Sequence, residues 1–541
     1  GPRYTPQAHV ALPINRFFIW IGRTEAFRDE WNKLFEEYEK EVVNSYVFGR
    51  MAKHGLMKKA RAEHIEARLK ATAESVRTLT DVRFRPIRYS DLSRQAEATR
   101  RLLDPIEKQL EELRSKARED TKKAPESTPT TSSPEASPLK ESDFEGLLRH
   151  LQKIDSVLRT TLEMADETRG RISGEASLAY LSNHPAVLLV GEPGIGKTHL
   201  LCDLAGERLR RGYPTVLVLA HQLTGMTDPL QAVIRRLGLT MNNDEFLRCL
   251  NAMARRRGKR VLIIVDAINE GDRIVWRRTI RSLVEQCRGY PGIGLVLSCR
   301  SPFHLTMVPK RTRIGLLRHQ GFREREVEAL KIYFKQFNLP LPEVPLLSGE
   351  FSNPLFLKIF CESLEDAVIK KKHARIRDIA SGQEGMLNVF EDFVIKRARQ
   401  TAAAFGLQPL LVWKMLKEGV AATMAQQGRT YLTLPEAQAV FRSFGIPAGR
   451  DQAFTRELSN EGLLFEDVVF DATARKGIEV VRLPYQKFSD HLIARYLLKS
   501  LDKEDPAKSF AAGTPLGNLL APTKGYPRYD SVVEALLIEF P

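Results

Sequence analysis

The residues most able to do chemistry in this 541-residue chain lie in one octapeptide, Gly-Glu-Pro-Gly-Ile-Gly-Lys-Thr, at positions 191–198. It fills every fixed position of the pattern G-x-x-x-x-G-K-[ST]. In such a loop the backbone N–H groups surround a phosphate, the lysine reaches the outer phosphates and the hydroxyl binds Mg²⁺. The sequence therefore predicts a site for ATP and Mg²⁺. The predicted contacts are Gly191, Glu192, Pro193, Gly194, Ile195, Gly196, Lys197, Thr198 and His199.

Two further segments supply candidate catalytic side chains. The apolar run 260–266 ends in Asp266, which would lie at the carboxyl edge of a sheet and share Mg²⁺ with Thr198. Glu270 follows four residues later and is the candidate general base, with a purely structural role as the alternative. Arg300 ends another apolar run and is the candidate γ-phosphate sensor, with an ordinary surface arginine as the alternative.

Alternating apolar runs and helical patterns must position these residues. Nearly continuous apolar runs are typical of strands buried on both faces of a parallel sheet. The predicted strands are Val187–Val190, Thr215–Ala220, Arg260–Asp266, Ile293–Cys299 and Arg313–Leu317. The fold class is therefore an α/β P-loop NTPase core with a parallel sheet. It is accompanied by an N-terminal helical region, a helical lid and a winged-helix domain.

Composition and periodicity divide the chain into seven parts. A segment rich in Pro, Ser, Thr and Lys cannot bury enough apolar surface to fold, and it predicts a disordered linker. Two β-prone runs, 462–465 and 477–482, predict the hairpin of the winged-helix domain. The parts are a helical region at 1–120, the linker at 121–141, a helical lead-in at 142–182, the P-loop NTPase domain at 183–320, the helical lid at 321–405, the winged-helix domain at 406–500 and the start of a truncated further domain at 501–541.

The formal net charge of +16 permits contact with nucleic acid. The basic clusters are interspersed with glutamate and lack interleaved aromatic residues, so solvated helix faces are favoured over a nucleic-acid surface. No apolar run approaches the roughly 20 residues that span a bilayer. Five scattered cysteines without a CxxC pair predict neither a zinc site nor a disulfide framework, and they favour a cytoplasmic location.

These motifs together resemble the STAND ATPases of the NACHT-like kind, which are signalling switches within the AAA+ group. The resemblance is carried by the phosphate loop, Asp266-Ala-Ile-Asn-Glu270, Arg300 and Asn353-Pro-Leu-Phe-Leu357. The sequence Asp266-Ala-Ile-Asn-Glu270, called the acidic box below, and the run 485–494 are most similar to those of the bacterial antiviral STAND (Avs) proteins. The resemblance covers roughly residues 180–500.

The resemblance implies site residues outside the NTPase core. Pro354 would lie near the adenine, and a winged-helix side chain would contact the phosphates. Tyr485 aligns near the family's phosphate-reading histidine, and His491 lies six residues further on, so both are candidates. The acidic box also differs from the family's DGxDE pattern, because Asn269 replaces its penultimate acid.

Three functions compete. The first is an ATP-hydrolysing antiviral switch, which forms a homo-oligomer when a foreign phage protein docks on a C-terminal sensor and then activates an effector. The second is an AAA+ remodeller or a nucleic-acid-dependent motor, which the net charge favours slightly. The third is a scaffold that binds nucleotide without hydrolysing it. The resemblance favours the first function. We expect no membrane partner, and nucleic acid is a possible but less favoured partner.

Overall fold

The protein is described by a computed structural model. The described residues are 12–43, 47–79, 84–123, 139–167, 175–192, 194–223, 227–341, 349–370, 383–471, 476–484, 486–499, 501–502, 504–520, 522–523, 526–527 and 530–539. Most of the predicted linker, residues 124–138, therefore lies outside them. The two ends of the predicted linker are helical and not disordered, because one helix covers residues 121–123 and the next begins at Glu141.

The described residues before β1 are mainly helical, as the sequence predicts. Its helices are α1 (Asn15–Gly22), α2 (Glu25–Tyr38), α3 (Val47–Lys53), α4 (Lys59–Thr78), α5 (Tyr89–Lys123), α6 (Glu141–Met164) and α7 (Leu178–Asn183). Trp20 and Trp31 lie at the centre of its core with ring centroids 5.5 Å apart. The apolar stripe of α6 packs into this same core, so the segment predicted as a separate lead-in belongs to the N-terminal bundle.

The central sheet has five parallel strands in the order β2-β3-β4-β1-β5. They are β1 (Ala186–Gly191), β2 (Thr215–Leu219), β3 (Val261–Asp266), β4 (Ile293–Arg300) and β5 (Gly315–Arg318). Side chains of a strand point to alternate faces, and β1 accordingly sends Leu188 and Val190 into one core and Val187 and Leu189 into another. Both faces of the sheet are thus covered, which explains the nearly continuous apolar runs. The helices of this domain are α8 (Lys197–Arg210), α9 (Pro229–Arg236), α10 (Asn243–Arg257), α11 (Arg273–Arg288) and α12 (His304–Met307).

Two buried arginines join the N-terminal bundle to the amino-terminal edge of the sheet. Arg260 immediately precedes β3, and its Nη1 donates to the carbonyl oxygens of Ile21 and Ser182 at 3.0 and 2.7 Å. Arg23, just after α1, donates from Nη2 to the same Ser182 carbonyl at 3.0 Å. Burial lowers the pKa of Arg260 well below its usual value and that of Arg23 to about 10. Both guanidinium groups are therefore poorly solvated and are held by neutral carbonyl oxygens.

After the sheet come the lid helices and a winged-helix domain. The lid has α13 (Glu326–Gln336), α14 (Pro354–Lys370) and α15 (Gln383–Phe405). The following elements are α16 (Pro409–Lys414), a π-helical turn (Met415–Ala421), α17 (Ala422–Gln426), β6 (Leu432–Thr433), α18 (Leu434–Ser443), α19 (Asp451–Asn460), β7 (Phe465–Asp471) and β8 (Lys476–Arg482). The three strands pair in the order β6-β8-β7. Helix, strand, two helices and a hairpin form the winged-helix order, and this domain shares one hydrophobic core with the lid.

The chain then continues through α20 (Gln486–Lys499), α21 (Pro515–Leu520), the short antiparallel pair β9 (Pro522–Thr523) and β10 (Tyr526–Pro527), and α22 (Asp530–Glu539). α22 packs against α20, and its Val532, Ala535 and Leu536 enter the core shared by the lid and the winged-helix domain. This helix is therefore packed together with the part predicted to end at residue 500.

The structure corrects two predicted strands. The hairpin begins at Phe465, whereas the prediction placed its first strand at 462–465. Gly462 has φ +72°, and Leu463 and Leu464 are fully buried, so these residues close a turn after α19. The fifth strand is Gly315–Arg318 and not Arg313–Leu317.

Candidate nucleotide site

The candidate site lies at the carboxyl edge of the sheet. Gly191 at the end of β1 pairs with Arg300 at the end of β4, and Asp266 ends β3 on the other side of β4. The backbone N–H of His319, directly after β5, donates to Val190 O at 2.7 Å. Because the carboxyl ends of parallel strands meet at one edge, side chains from four strands converge there.

The phosphate loop has the backbone shape that its glycines permit. Gly194 and Gly196 have φ +74° and +96°, in the left-handed region that favours glycine. A Cβ on Gly194 would lie 2.9 Å from Leu355 Cδ2, so a side chain there would also clash with the lid. α8 begins at Lys197, which aims the N–H groups of its first turn at the loop.

Lys197 is 9% exposed, and its Nζ donates to Gly191 O at 2.8 Å and Glu192 O at 3.0 Å. Burial, and secondarily the Arg300 guanidinium, lowers the pKa of Lys197 to about 8. The ammonium group remains mostly protonated at neutral pH. It is thus a poorly solvated cation at the loop, which favours an anionic ligand.

Asp266 and Thr198 are brought together, as predicted. Thr198 Oγ1 donates to Asp266 Oδ2 at 2.6 Å. The Ser298 hydroxyl donates to the other carboxylate oxygen and accepts from the Ala267 N–H at 2.8 Å. Asp266 is 2% exposed, so its carboxylate is fixed by its two hydroxyl partners. The paired hydroxyl and carboxylate oxygens are hard donors of the kind that Mg²⁺ prefers, and they fit the predicted metal site.

Glu270 and Arg300 also meet. Arg300 Nη2 lies 3.0 Å from Glu270 Oε1, and both side chains line the cleft beside the phosphate loop. Asn269 between the two acidic positions is 2% exposed, and its Oδ1 accepts from the Arg300 backbone N–H at 3.0 Å. The amide at this position therefore joins the acidic box to the end of β4.

The lid closes over the loop through the start of α14. Asn353 Oδ1 accepts from the N–H groups of Leu355 and Phe356 at 3.0 and 3.3 Å, which caps the helix. Leu355 N also lies 3.3 Å from Gly194 O. Pro354 Cγ would lie 3.5 Å from a Cβ on Gly196, and Pro354 lines the cleft.

The cleft, with a volume of about 260 Å³, extends beyond the residues found from sequence. Its further lining includes Leu12, Asn15, His319, Phe322, Tyr333, Leu355, Lys358, Arg397, Ser459, Asn460, Glu461, Gly462 and Phe465. Arg397 Nη1 on α15 lies 3.3 Å from Glu461 Oε2 after α19, so the lid and the winged-helix domain meet at the cleft. His319 could have been found by the strand-end rule that located Asp266, whereas the lid and winged-helix residues carry no local motif.

Four predicted contacts need separate mention. Pro193 and Tyr485 lie outside the described residues. His199 lines the cleft, and its Nε2 lies 3.3 Å from Asp203 Oδ2 one turn along α8. His491 is buried on α20 and is not among the residues that line the cleft, so its position gives no support to the predicted phosphate contact.

Arg273 connects the acidic box to the winged-helix hairpin. Its Nε donates to Asn269 O at 2.8 Å, and its Nη1 lies 2.8 Å from Glu479 on β8. Nη2 is paired with Glu466 on β7, and the guanidinium stacks 4.3 Å from the centroid of the Phe303 ring. One side chain at the start of α11 thus holds both hairpin strands. Arg273 is only three residues from Glu270 in the sequence.

A family model described as "AAA domain" matches residues 181–298. This range contains the phosphate loop, Asp266 and Glu270, and the sheet order is that of a P-loop NTPase. Residues 181–298 are therefore an ATPase domain of the AAA type. None of the described helices is both long and apolar enough to cross a membrane.

One curated relative is an insertion sequence IS5376 putative ATP-binding protein from Geobacillus stearothermophilus. It is 36% identical over 76 residues, which cover 14% of this chain and 30% of the relative. The chain thus matches under a third of that relative's length.

Similar solved structures include Cdc6p from Pyrobaculum aerophilum, with 14% identity, 58% of this chain and 88% of that chain covered, and a TM-score of 0.26. Orc1 from Aeropyrum pernix in complex with DNA has 14% identity, coverages of 61% and 90%, and a TM-score of 0.31. AMPPCP-bound DnaA from Aquifex aeolicus has 18% identity, coverages of 51% and 82%, and a TM-score of 0.25.

Proposed function

We propose that this chain is an ATP-hydrolysing signalling switch of the STAND kind, in which the nucleotide controls the position of the lid and the winged-helix domain. Within that class we propose a cytoplasmic, bacterial anti-phage sensor that forms a homo-oligomer after binding a foreign protein. The proposal is supported by the order of its parts: an AAA-type ATPase domain, a helical lid and a winged-helix domain that share one cleft.

The chemistry follows from the residues at the sheet edge. Lys197 and the loop N–H groups would hold the phosphates, and Mg²⁺ held by Thr198 and Asp266 would neutralise phosphate charge. Glu270 would accept a proton from the attacking water as the bond to the γ-phosphate breaks, giving ADP and inorganic phosphate. Arg300 would stabilise the charge on the transferred group. In the arrangement seen here Glu270 is paired with Arg300, so activation of water requires that this ion pair loosen.

The observation that carries the switch is the position of Arg273. This side chain binds the acidic box through Asn269 O and the winged-helix hairpin through Glu466 and Glu479. Arg273 is three residues after Glu270. A rearrangement of Glu270 around a γ-phosphate would therefore displace Arg273 and, through its ion pairs, the hairpin. Since the ion pairs are partly buried, their loss would shift the balance between closed and open forms appreciably.

The defence role rests on the motif resemblance to antiviral STAND proteins, namely Asp266-Ala-Ile-Asn-Glu270 and the run 485–494. It implies that the trigger is a foreign phage protein recognised by a region C-terminal to the winged-helix domain. A bacterial host expressing the full-length protein should plate a sensitive phage less efficiently, and Lys197→Ala should restore plating. Equal plating of a broad phage panel on both strains would contradict the defence role but leave the switch intact.

One observation favours the alternative of a nucleic-acid-dependent motor. Arg277, Arg278 and Arg281 are exposed on one face of α11, and among the described residues none has a carboxylate partner. The switch predicts ATP turnover that does not respond to DNA. Turnover that DNA stimulates, with a steep loss of the effect as salt rises, would favour the motor instead.

The switch is tested by Arg273→Ala in the presence of ATP. The variant should expose the β7–β8 hairpin to hydrogen exchange and shift the particle mass toward oligomers, because the closed form loses its ion pairs. Arg288→Ala is the matched control, since Arg288 lies on the same helix and, among the described residues, forms an ion pair with Glu285 alone. If hairpin exchange and particle mass both stay at wild-type values in Arg273→Ala, the proposed coupling is wrong.

A further inference from the structure

A buried histidine in the cleft has no part in the chemistry described so far. His319 follows β5 directly, is 5% exposed and lines the cleft beside the phosphate loop. Its backbone is fixed, because its N–H donates to Val190 O at 2.7 Å and extends the pairing of β5 with β1. The imidazole therefore has a defined position relative to the loop.

The hydrogen bonds of the ring determine its tautomer. The Gly321 N–H donates to His319 Nδ1 at 3.0 Å, so Nδ1 carries no proton. Burial, and secondarily the charge of Lys197, lowers the pKa of His319 to about 3. The ring is therefore neutral at physiological pH, and its one proton is on Nε2.

That Nε2–H is directed toward the phosphate loop. Nε2 lies 3.7 Å from the point where a Cβ on Gly196 would be. Among the residues that the structure describes, none accepts a hydrogen bond from it. Because His319 lines the cleft beside the phosphate loop, a ligand bound there can accept this proton.

We infer that His319 is a nucleotide-positioning residue whose Nε2–H donates a hydrogen bond to a phosphate oxygen of the bound nucleotide. This inference depends on the proposed binding of ATP. A neutral donor suits this position beside Lys197, because a second cation there would be repelled by the first. A phosphate is favoured over the base because Nε2 lies beside Gly196 of the phosphate loop and the charge of Lys197 acts on the ring.

Two substitutions separate the roles of the two ring nitrogens. The amide nitrogen of His319→Gln can replace the Nε2–H donor. His319→Asn places its oxygen near the Nδ1 position and supplies no donor at the distance of Nε2. His319→Met has about the length of glutamine without any donor, and it serves as the second donor-free variant if the asparagine variant does not fold.

The experiment measures the affinities of ADP, ATP and adenosine by calorimetry between pH 6 and pH 8, with thermal unfolding of each ligand-free variant as a folding check. We expect His319→Gln to bind ADP and ATP within a few-fold of wild type. We expect the donor-free variants to bind them about tenfold more weakly. Adenosine should bind equally to all variants, and the relative affinities should not change with pH.

Several results would overturn the inference. Unchanged ADP and ATP affinity in a folded donor-free variant would show that the ring is only structural. An equal loss of adenosine affinity would assign the hydrogen bond to the nucleoside. A wild-type affinity that rises on acidification, when the donor-free variants show no such rise, would show that an imidazolium binds the ligand. If the wild-type protein bound no nucleotide at all, the proposed function itself would fail.

Discussion

Both carboxylate oxygens of Asp266 accept a hydroxyl hydrogen bond, one from Thr198 and one from Ser298. The same Ser298 oxygen holds the N–H of Ala267, which has φ +55°. A left-handed alanine costs about 1 kcal/mol or more, so the surrounding contacts must hold this backbone in place. The strained residue lies between the predicted metal ligand and the predicted general base, where a fixed chain direction determines where Glu270 points.

The presence of asparagine and not an acidic residue at position 269 has a physical explanation. Asn269 is 2% exposed and lies between the carboxylates of Asp266 and Glu270 in the sequence. An ionised aspartate in its place would add a third negative charge to a poorly solvated segment. The asparagine satisfies the Arg300 N–H without that charge. The departure from the acidic pattern of the resembling family is thus compatible with an intact site.

Two substitutions test the assignment of binding and catalysis to separate residues. Lys197→Ala should reduce ATP affinity below detection, because the loop loses its buried cation. Glu270→Gln should retain wild-type affinity and lower kcat by about 10² or more, because water loses its base. Calorimetry and phosphate release measure the two effects. Wild-type turnover in Glu270→Gln would assign the base to another residue.

Among the elements, α14 forms the mechanical link between the loop and the lid. Its first turn is capped by Asn353, and the Leu355 N–H reaches Gly194 O. The cap and the loop contact lie within three residues. A helix terminus that is ordered by its own cap can therefore hold the phosphate loop in the geometry needed for ligand binding.

Asn353→Ala tests this link. It should cost about 1 kcal/mol of stability and also weaken nucleotide binding several-fold, because the start of the lid frays beside the loop. Asp228→Ala is the matched control, since Asp228 caps α9 by accepting from Gln231 N at 2.9 Å. It should lower stability by a similar amount and leave affinity unchanged. Equal affinities for the two variants would remove the lid from nucleotide binding.

The sequence predicted the parts of the site that are local. Glycine spacing and strand ends located the loop, Asp266, Glu270 and Arg300, because a short segment fixes each position. The predicted start of the first hairpin strand was wrong, because the apolar pair Leu463 and Leu464 is typical of a strand but is buried in a turn. Arg397, Glu461 and Arg273 act through partners 64 to 206 residues away, and no pattern in one sequence records such a pairing.

At the scale of the whole molecule, Arg260 and Arg23 join the N-terminal bundle to the edge of the sheet opposite the cleft. Arg260→Met should destabilise the protein by about 3 kcal/mol or more. The carbonyl oxygens of Ile21 and Pro291 lose their Arg260 donor, and that of Ser182 keeps only its hydrogen bond from Arg23. Calorimetry should then show the bundle unfolding before the ATPase domain.

Arg211→Ala is the control for this substitution, because Arg211 is an exposed arginine whose side chain pairs with Glu207. Its effect should stay within about 0.5 kcal/mol. A single, unshifted transition in Arg260→Met would mean that the buried guanidinium does not couple the two regions.

The placement of Arg260 has a consequence for how a signal can leave this protein. Arg260 precedes the first residue of β3 and Asp266 is its last, so one strand of about 20 Å runs from the bundle to the nucleotide. A stiff strand with both ends anchored transmits no hinge motion. The N-terminal bundle is therefore expected to move together with the ATPase domain as one rigid body. Under the proposed switch, an output of the bundle would be started by bringing copies of the chain together, and not by exposing a surface of the bundle.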